Sequence, residues 1–282
     1  MSRPTFLVLG AQKAGTTWLA DMLRQHPQVC MPEKKEIHFF NKKENYHKGL
    51  DWYEQHFDTC SGAVRGEATP NYLWTSNDEC EQKESNRTEN IPELVHDAYP
   101  DLQFVVSLRD PVDRAISAYR TLIRGGYVPP RKSILDVAHR YGILSMGDYQ
   151  THIERWFEYF SPPQFLFLIF EKDVKANRRI TAAKMYQFLN VNDSFTPDNI
   201  DVRKHPFLGS FYGRVLYYAP WIRTLAKFLF PNLNRDRIPF RNALDRKEVS
   251  DQERTELIQH FEEKNQKLDE LIGRQPEGWS TT

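Results

Sequence analysis

The chain has 282 residues and carries 38 Lys and Arg against 38 Asp and Glu, so its formal net charge is zero. That length suits one large α/β unit with an appended lobe, and the charge balance excludes a broadly basic nucleic-acid binder. A hydrophobic content of 40% is enough for a sizeable core and excludes wholesale disorder.

Phe6 to Leu9 form a short apolar run ending in Gly10, which predicts a buried strand. After a loop of small residues, Trp18, Leu19, Met22 and Leu23 recur at helical spacing between Thr16 and Gln25, with Pro27 just beyond. Residues 78–93 are polar and acidic and read as a mobile surface insertion or lid. A second strand over Val105 to Leu108, with Leu102 and Phe104 before it, gives way at Asp110 and Pro111 to a helix that Gly125 and Gly126 stop. An amphipathic helix around His152 to Phe160 precedes a third, fully apolar strand, Phe165 to Phe170. This alternation predicts an α/β, three-layer, P-loop-type fold whose central, mainly parallel sheet is flanked by helices.

The whole chain, 1–282, reads as a single domain with a core over 5–200 and a helical, aromatic lobe over 201–282. Within the lobe, residues 203–247 hold ten Lys and Arg against two acidic residues. The stripe Trp221, Ile222, Leu225, Phe228 and Leu229 reads as the packing face of a lid-like lobe, ahead of an apolar acceptor pocket or an interfacial membrane face. Cys30, Cys60 and Cys80 are odd in number and widely spaced, matching neither a zinc pattern nor a disulfide framework. They predict reduced thiols and a cytoplasmic protein. No stretch approaches the ~20 apolar residues of a membrane span.

The chemistry starts between the first strand and the first helix, at Gly10 to Thr17 (GAQKAGTT). Small residues let the backbone curl so that amides face an anion, and the helix terminus adds its partial positive charge. The spacing copies the ATP-binding loop G-x-x-x-x-G-K-[ST], but Thr16 stands in the lysine position and Lys13 lies inside the loop. The second strand ends in Arg109, a cation where a metal-holding acid would otherwise stand. The ligand predicted is one with two separated anionic groups and no magnesium. Arg109 is followed eight positions later by Ser117, and a guanidinium with a hydroxyl can share one phosphate. On its own, Arg-Asp-Pro at a helix start also reads as a cap with a surface ion pair. A magnesium-dependent P-loop kinase and a nucleotide-binding regulatory module without catalysis are the competing readings.

Together the two motifs resemble the sulfotransferases that use 3′-phosphoadenosine-5′-phosphosulfate (PAPS). Glu36 to Phe40 (EIHFF), Asn45 to Tyr53 (NYHKGLDWY) and Gly147 to Trp156 (GDYQTHIERW) are similar to the heparan-type carbohydrate (N- and 3-O-) branch and its soluble bacterial relatives. The resemblance implies in-line transfer of a sulfuryl group to a hydroxyl or amine, leaving adenosine 3′,5′-bisphosphate, without a metal. It assigns Lys13 to the leaving phosphate. Backbone amides of Ala14, Gly15, Thr16, Thr17 and Trp18, with the two threonine hydroxyls, are assigned to the 5′ end. Arg109 and Ser117 take the 3′-phosphate, with Arg203 and Lys204 as further caps. Glu36 matches the branch's catalytic acid, with His38 as the rival base; adjacent lysines lower a carboxylate pKa, so burial must supply any basicity. Glu67, Asn71 and Tyr72 are expected to line the acceptor cleft, with His152 beside them. The acceptor implied is a small molecule, a carbohydrate or a glycolipid. Ala68 replaces the lysine of the 3-O enzymes' Glu-Lys-Thr-Pro, which argues against a strongly anionic glycan.

Overall fold

The computed structural model describes residues 2–59, 64–75, 86–129, 131–201 and 248–281. The first apolar run is β1 (Phe6–Gly10), buried along its whole length. Its alternating side chains feed two cores on opposite faces of the sheet, Leu7 and Leu9 in one, Phe6 and Val8 in the other. α1 (Thr16–Gln25) follows and lays Leu19, Ala20, Met22 and Leu23 on the Phe6 face. Two strands that the sequence pattern does not announce come next, β2 (Val29–Cys30) and β3 (Val64–Ala68), with the short helices α2 (Lys43–Tyr46) and α3 (Gly49–Glu54) between them. β2 is too short to show a pattern, and β3 reads Val-Arg-Gly-Glu-Ala, with charges where alternation would be sought. Gly66 is required there: a Cβ would collide with the Phe6 carbonyl oxygen on the neighbouring strand.

α4 (Ile91–Ala98) leads to β4 (Gln103–Leu108), then α5 (Pro111–Arg124), capped by Asp110, whose side chain accepts from the amides of Val112 and Asp113. α6 (Tyr149–Phe157) precedes β5 (Phe165–Ile169), and a π-helical turn over Phe170–Ala176 connects to α7 (Arg178–Phe188). α8 (Asp251–Lys264) and α9 (Leu268–Ile272) close the described chain. The described strands all run parallel in the order β2-β3-β1-β4-β5, Val8 of β1 pairing with Ala68 of β3 and Val105 of β4. α1 and α7 cover one face, and α4, α6 and α9 the other, giving the expected α/β layers. α5 and α8 share a third apolar cluster through Ile116, Tyr119, Leu257 and Phe261. Because β1 and β4 are neighbours, the two motif-bearing turns leave the carboxyl edge of the sheet side by side, where ligands of parallel sheets collect.

Three expectations change. Of the predicted insertion, Arg87 and Thr88 are buried, not mobile: Arg87 stacks on Trp74 and donates to its carbonyl, and Thr88 donates to the Phe40 carbonyl. Docking this stretch brings the chain to the start of α4; residues 76–85 lie outside the described residues. Cys30, on the edge strand β2, is disulfide-bonded, so the expectation of three reduced thiols is overturned; its partner lies outside the described residues. Spacing alone does not report which loops fold back on one another. The basic, aromatic stretch 203–247 also lies outside the described residues, while Leu268, Ile272 and Trp279 join the core beneath β4 and β5. No helix among the described residues is long and apolar enough to cross a membrane.

Candidate active site

After β1 the chain curls back before entering α1, and β4 stitches this loop in place. Ala11 N donates to Ser107 O (2.6 Å), Ser107 Oγ to Ala14 O (2.7 Å) and Arg109 Nη1 to Lys13 O (3.3 Å). Gly15 precedes α1 in the left-handed region at φ 83°, and a Cβ there would lie 2.9 Å from Phe170 and Val174. Glycine is therefore required by conformation and by space. Ala14 N donates to Ala11 O (3.1 Å) and Trp18 N to Gly15 O (2.9 Å), so these two expected anion donors are already engaged. Among the described residues the open first-turn donors are the amides of Gly15, Thr16 and Thr17, at the positive end of α1. Trp18 instead directs its indole N–H to Ile200 O (3.0 Å).

Lys13, Glu36 and His38 share an unusual backbone. They are three of six non-glycine residues with positive φ among those described, at 74°, 62° and 58°. Such conformations cost about 1–3 kcal/mol each and persist where the surroundings dictate them, often at functional sites. The Lys13 ammonium has no hydrogen-bond or ion-pair partner among the described residues. Burial first, then Arg124, Arg109, Arg114 and Lys35, push its pKa down to about 8. Arg109, at the tip of β4, lies over the Phe170 ring with Nη2 3.7 Å from Asp113 Oδ2 and Nε 3.8 Å from Glu171 Oε1.

The loop bearing Glu36 faces α1 across this space. Lys35 Nζ donates to Thr17 Oγ1 (2.6 Å) and lies 3.3 Å from Glu36 Oε1. His38 Nε2 lies 3.5 Å from Glu36 Oε2, and its Nδ1 lies 3.2 Å from Asn41 Oδ1. The bond from His38 foremost, with Lys35 beside it, holds the Glu36 carboxyl below the ordinary carboxylate range against the opposing effect of burial. Beneath the loop, Tyr72 Oη and Thr69 Oγ1 donate to Glu67 (2.6 Å each), and Tyr72 Oη accepts from Phe39 N (2.9 Å).

Lys13, Thr16, Thr17, Glu36, Arg109 and Ser117 line one cleft of about 670 Å³. It places a carboxylate that can take a proton opposite cations and amides that can hold two anionic groups. A family model described as "Sulfotransferase domain" matches residues 3–205. The chain belongs to the sulfotransferase family. It is 30% identical over 174 residues to human heparan sulfate glucosamine 3-O-sulfotransferase 5, covering 57% of this chain and 46% of that protein. It is 31% identical over 216 residues to mouse bifunctional heparan sulfate N-deacetylase/N-sulfotransferase 4, covering 68% of this chain and 23% of that one. The chain thus spans less than half the length of these curated relatives. In fold it is similar to a sulfotransferase from Alicyclobacillus acidocaldarius (TM-score 0.68, 24% identity, 99% of each chain). A second fold likeness is the sulfotransferase domain of the curacin biosynthetic pathway (TM-score 0.55, 12% identity, 95% of this chain and 99% of that one).

In this sulfotransferase the remaining expected residues divide. Asn71 lines the cleft beside Pro70. Glu67 and Tyr72, expected on the acceptor side, are 1% and 0% exposed and brace the Glu36 loop from within, which corrects that expectation. His152 is corrected likewise: it is buried, with Nε2 2.6 Å from Ser145 O and Nδ1 3.0 Å from Thr75 Oγ1. Burial lowers its pKa to about 4, so it is a neutral core histidine. His38 stands behind Glu36, outside the cleft lining, and Arg203 and Lys204 lie outside the described residues. Tyr141, Phe170, Glu171 and Arg178 line the cleft without having been expected there. The available signal was the apolar strand β5, whose carboxyl end brings Phe170 and Glu171 beside Arg109.

Proposed function

We propose that this sulfotransferase moves the sulfuryl group of PAPS to a hydroxyl, or an amine, of a carbohydrate-like acceptor. The observation that carries the reading is the shared cleft, which unites the Gly10–Thr17 loop, Arg109, Ser117 and Glu36. The residues fit the donor: the Lys13 ammonium is unpartnered among the described residues, and Arg109 Nε is buried without a hydrogen-bond partner. PAPS supplies the activated sulfuryl group when bound. The amides of Gly15, Thr16 and Thr17 would hold its 5′ end, and Arg109 with Ser117 its 3′-phosphate. Lys13 supplies positive charge at the 5′ end, and Glu36, kept ionised by His38 and Lys35, takes the acceptor proton. His38 orients that carboxylate. The relatives' names, which specify heparan sulfate glucosamine, support a sugar acceptor over a small molecule or glycolipid. The Cys30 disulfide supports an oxidising compartment over the cytoplasm that three thiols predicted.

Calorimetry in EDTA tests the reading: adenosine 3′,5′-bisphosphate should bind tightly and ATP weakly, whereas a preference for ATP that requires magnesium would overturn it. In the same series, Glu36→Gln should abolish transfer from PAPS and leave bisphosphate affinity unchanged.

A further inference from the structure

The last described residues converge on the tips of β4, which leads into Arg109, and β5, which leads into Glu171. Arg274 Nη1 donates to Asp173 Oδ2 (2.8 Å), and Lys172 pairs with Glu277 (2.9 Å), both on the turn after β5. Trp279, buried against the core, donates its indole N–H to Glu171 Oε2 (3.0 Å). The other oxygen of that carboxylate, Oε1, is buried without a hydrogen-bond partner and faces Arg109 Nε, in the same condition, across 3.8 Å. Ser280 then reaches the other side of the guanidinium's base: its N and Oγ both donate to Asp110 Oδ2 (2.6 and 2.7 Å). Asp110 follows Arg109 directly, and its second oxygen caps α5, the helix that carries Ser117. Tyr149, 6.0 Å from the Trp279 ring, fixes the Arg109 carbonyl with its hydroxyl (2.9 Å).

We propose that Trp279 and Ser280 form a C-terminal clamp that positions Arg109, through Glu171 and Asp110, for the second anionic group of the nucleotide. The inference rests on the assignment of Arg109 to the 3′-phosphate given above. An arginine side chain left to itself samples many rotamers, and ordering it at the moment of binding weakens the complex. Here the Glu171 carboxylate faces the ε edge of the guanidinium as an ion pair at 3.8 Å, and the backbone beneath it is pinned through Asp110. Trp279 holds Glu171 in turn. These are positioning residues: they act on the ligand through Arg109.

The readout is the ratio of affinities for adenosine 3′,5′-bisphosphate and adenosine 5′-monophosphate, which differ only in the 3′-phosphate. Calorimetry on the full chain should show that Trp279→Phe, which keeps the ring and removes the indole N–H, lowers bisphosphate affinity about tenfold, the effect of losing a charge-assisted contact. Monophosphate affinity should stay as in the unaltered protein, and Ser280→Ala should shift the ratio in the same direction. A loss shared equally by both ligands, or no loss in either variant, overturns the clamp. Arg109→Ala, measured alongside, separates the two claims. If it collapses the ratio while Trp279→Phe and Ser280→Ala leave it intact, only the clamp fails. If Arg109→Ala itself leaves the ratio intact, the 3′-phosphate assignment fails and takes the clamp with it. Ser280→Ala keeps the test decisive should the tryptophan variant not fold.

Discussion

Lys13 is a cation that its surroundings do not welcome. Burial and the neighbouring Arg124, Arg109, Arg114 and Lys35 bring its pKa to about 8, and no acidic side chain among the described residues answers it. An anion bound beside it favours the charged form, so the pKa must rise on binding. Affinity for adenosine 3′,5′-bisphosphate should then be level below the free-state value and fall by up to about tenfold per pH unit above it. Calorimetry in buffers of different ionisation enthalpy should show proton uptake above pH 8, and Lys13→Arg should flatten the profile. Binding that stays level to high pH would place Lys13 away from the anion. At this scale the candidate site was legible where short motifs of fixed spacing leave the strands: Lys13, Thr16, Thr17, Glu36, Arg109 and Ser117 share one cleft. It was not legible where side-chain direction decides. Glu67, Tyr72 and His152 look like cleft residues by type, yet a strand, a turn and a helix respectively direct them inward. Nor does a lysine, glutamate or histidine announce a left-handed backbone, as a glycine would.

The elements show why the inward turn matters. The loop from Lys34 to Asn41 belongs to no helix or strand, so its shape must come from what lies beneath it. Tyr72 is that support: its hydroxyl donates to Glu67 and accepts from Phe39 N, tying the loop to the end of β3. Tyr72→Phe would leave a buried carboxylate oxygen and a buried amide short of partners, at a cost of about 1–3 kcal/mol. A urea titration should register that loss, with a lower midpoint and an unchanged slope. Turnover should drop as the Glu36 loop relaxes, while bisphosphate affinity holds, since the nucleotide cradle proposed above sits on β1 and β4. Equal loss of both would mean that the loop and the cradle share one support. β1, β4 and β5 were legible because their apolar runs are buried on both faces. β3 was not: the features that make it useful, Gly66 for close approach and Glu67 for bracing the loop, remove the pattern by which a strand is read.

Across the whole molecule, a net charge of zero conceals a strongly uneven distribution. Lys13, Lys35 and Arg109 gather around one cleft, and the parallel sheet focuses them by bringing β1 and β4 together. The fold class followed from the alternation of strands and helices. The Cys30 disulfide did not, since cysteine spacing alone does not report pairing. Three cysteines with Cys30 in a disulfide leave one thiol over. Denatured protein prepared without reductant should therefore titrate with one thiol per chain, and with three after reduction. Closing a loop against the edge strand stabilises chiefly by restricting the unfolded chain, typically by about 2–4 kcal/mol. Cys30→Ser should accordingly melt below the unaltered protein in non-reducing buffer, and the difference should vanish once dithiothreitol has reduced both. Three thiols without reductant, or a melting difference that persists in dithiothreitol, would mean that Cys30 acts on β2 through packing and that the reducing compartment predicted from the cysteine count stands after all.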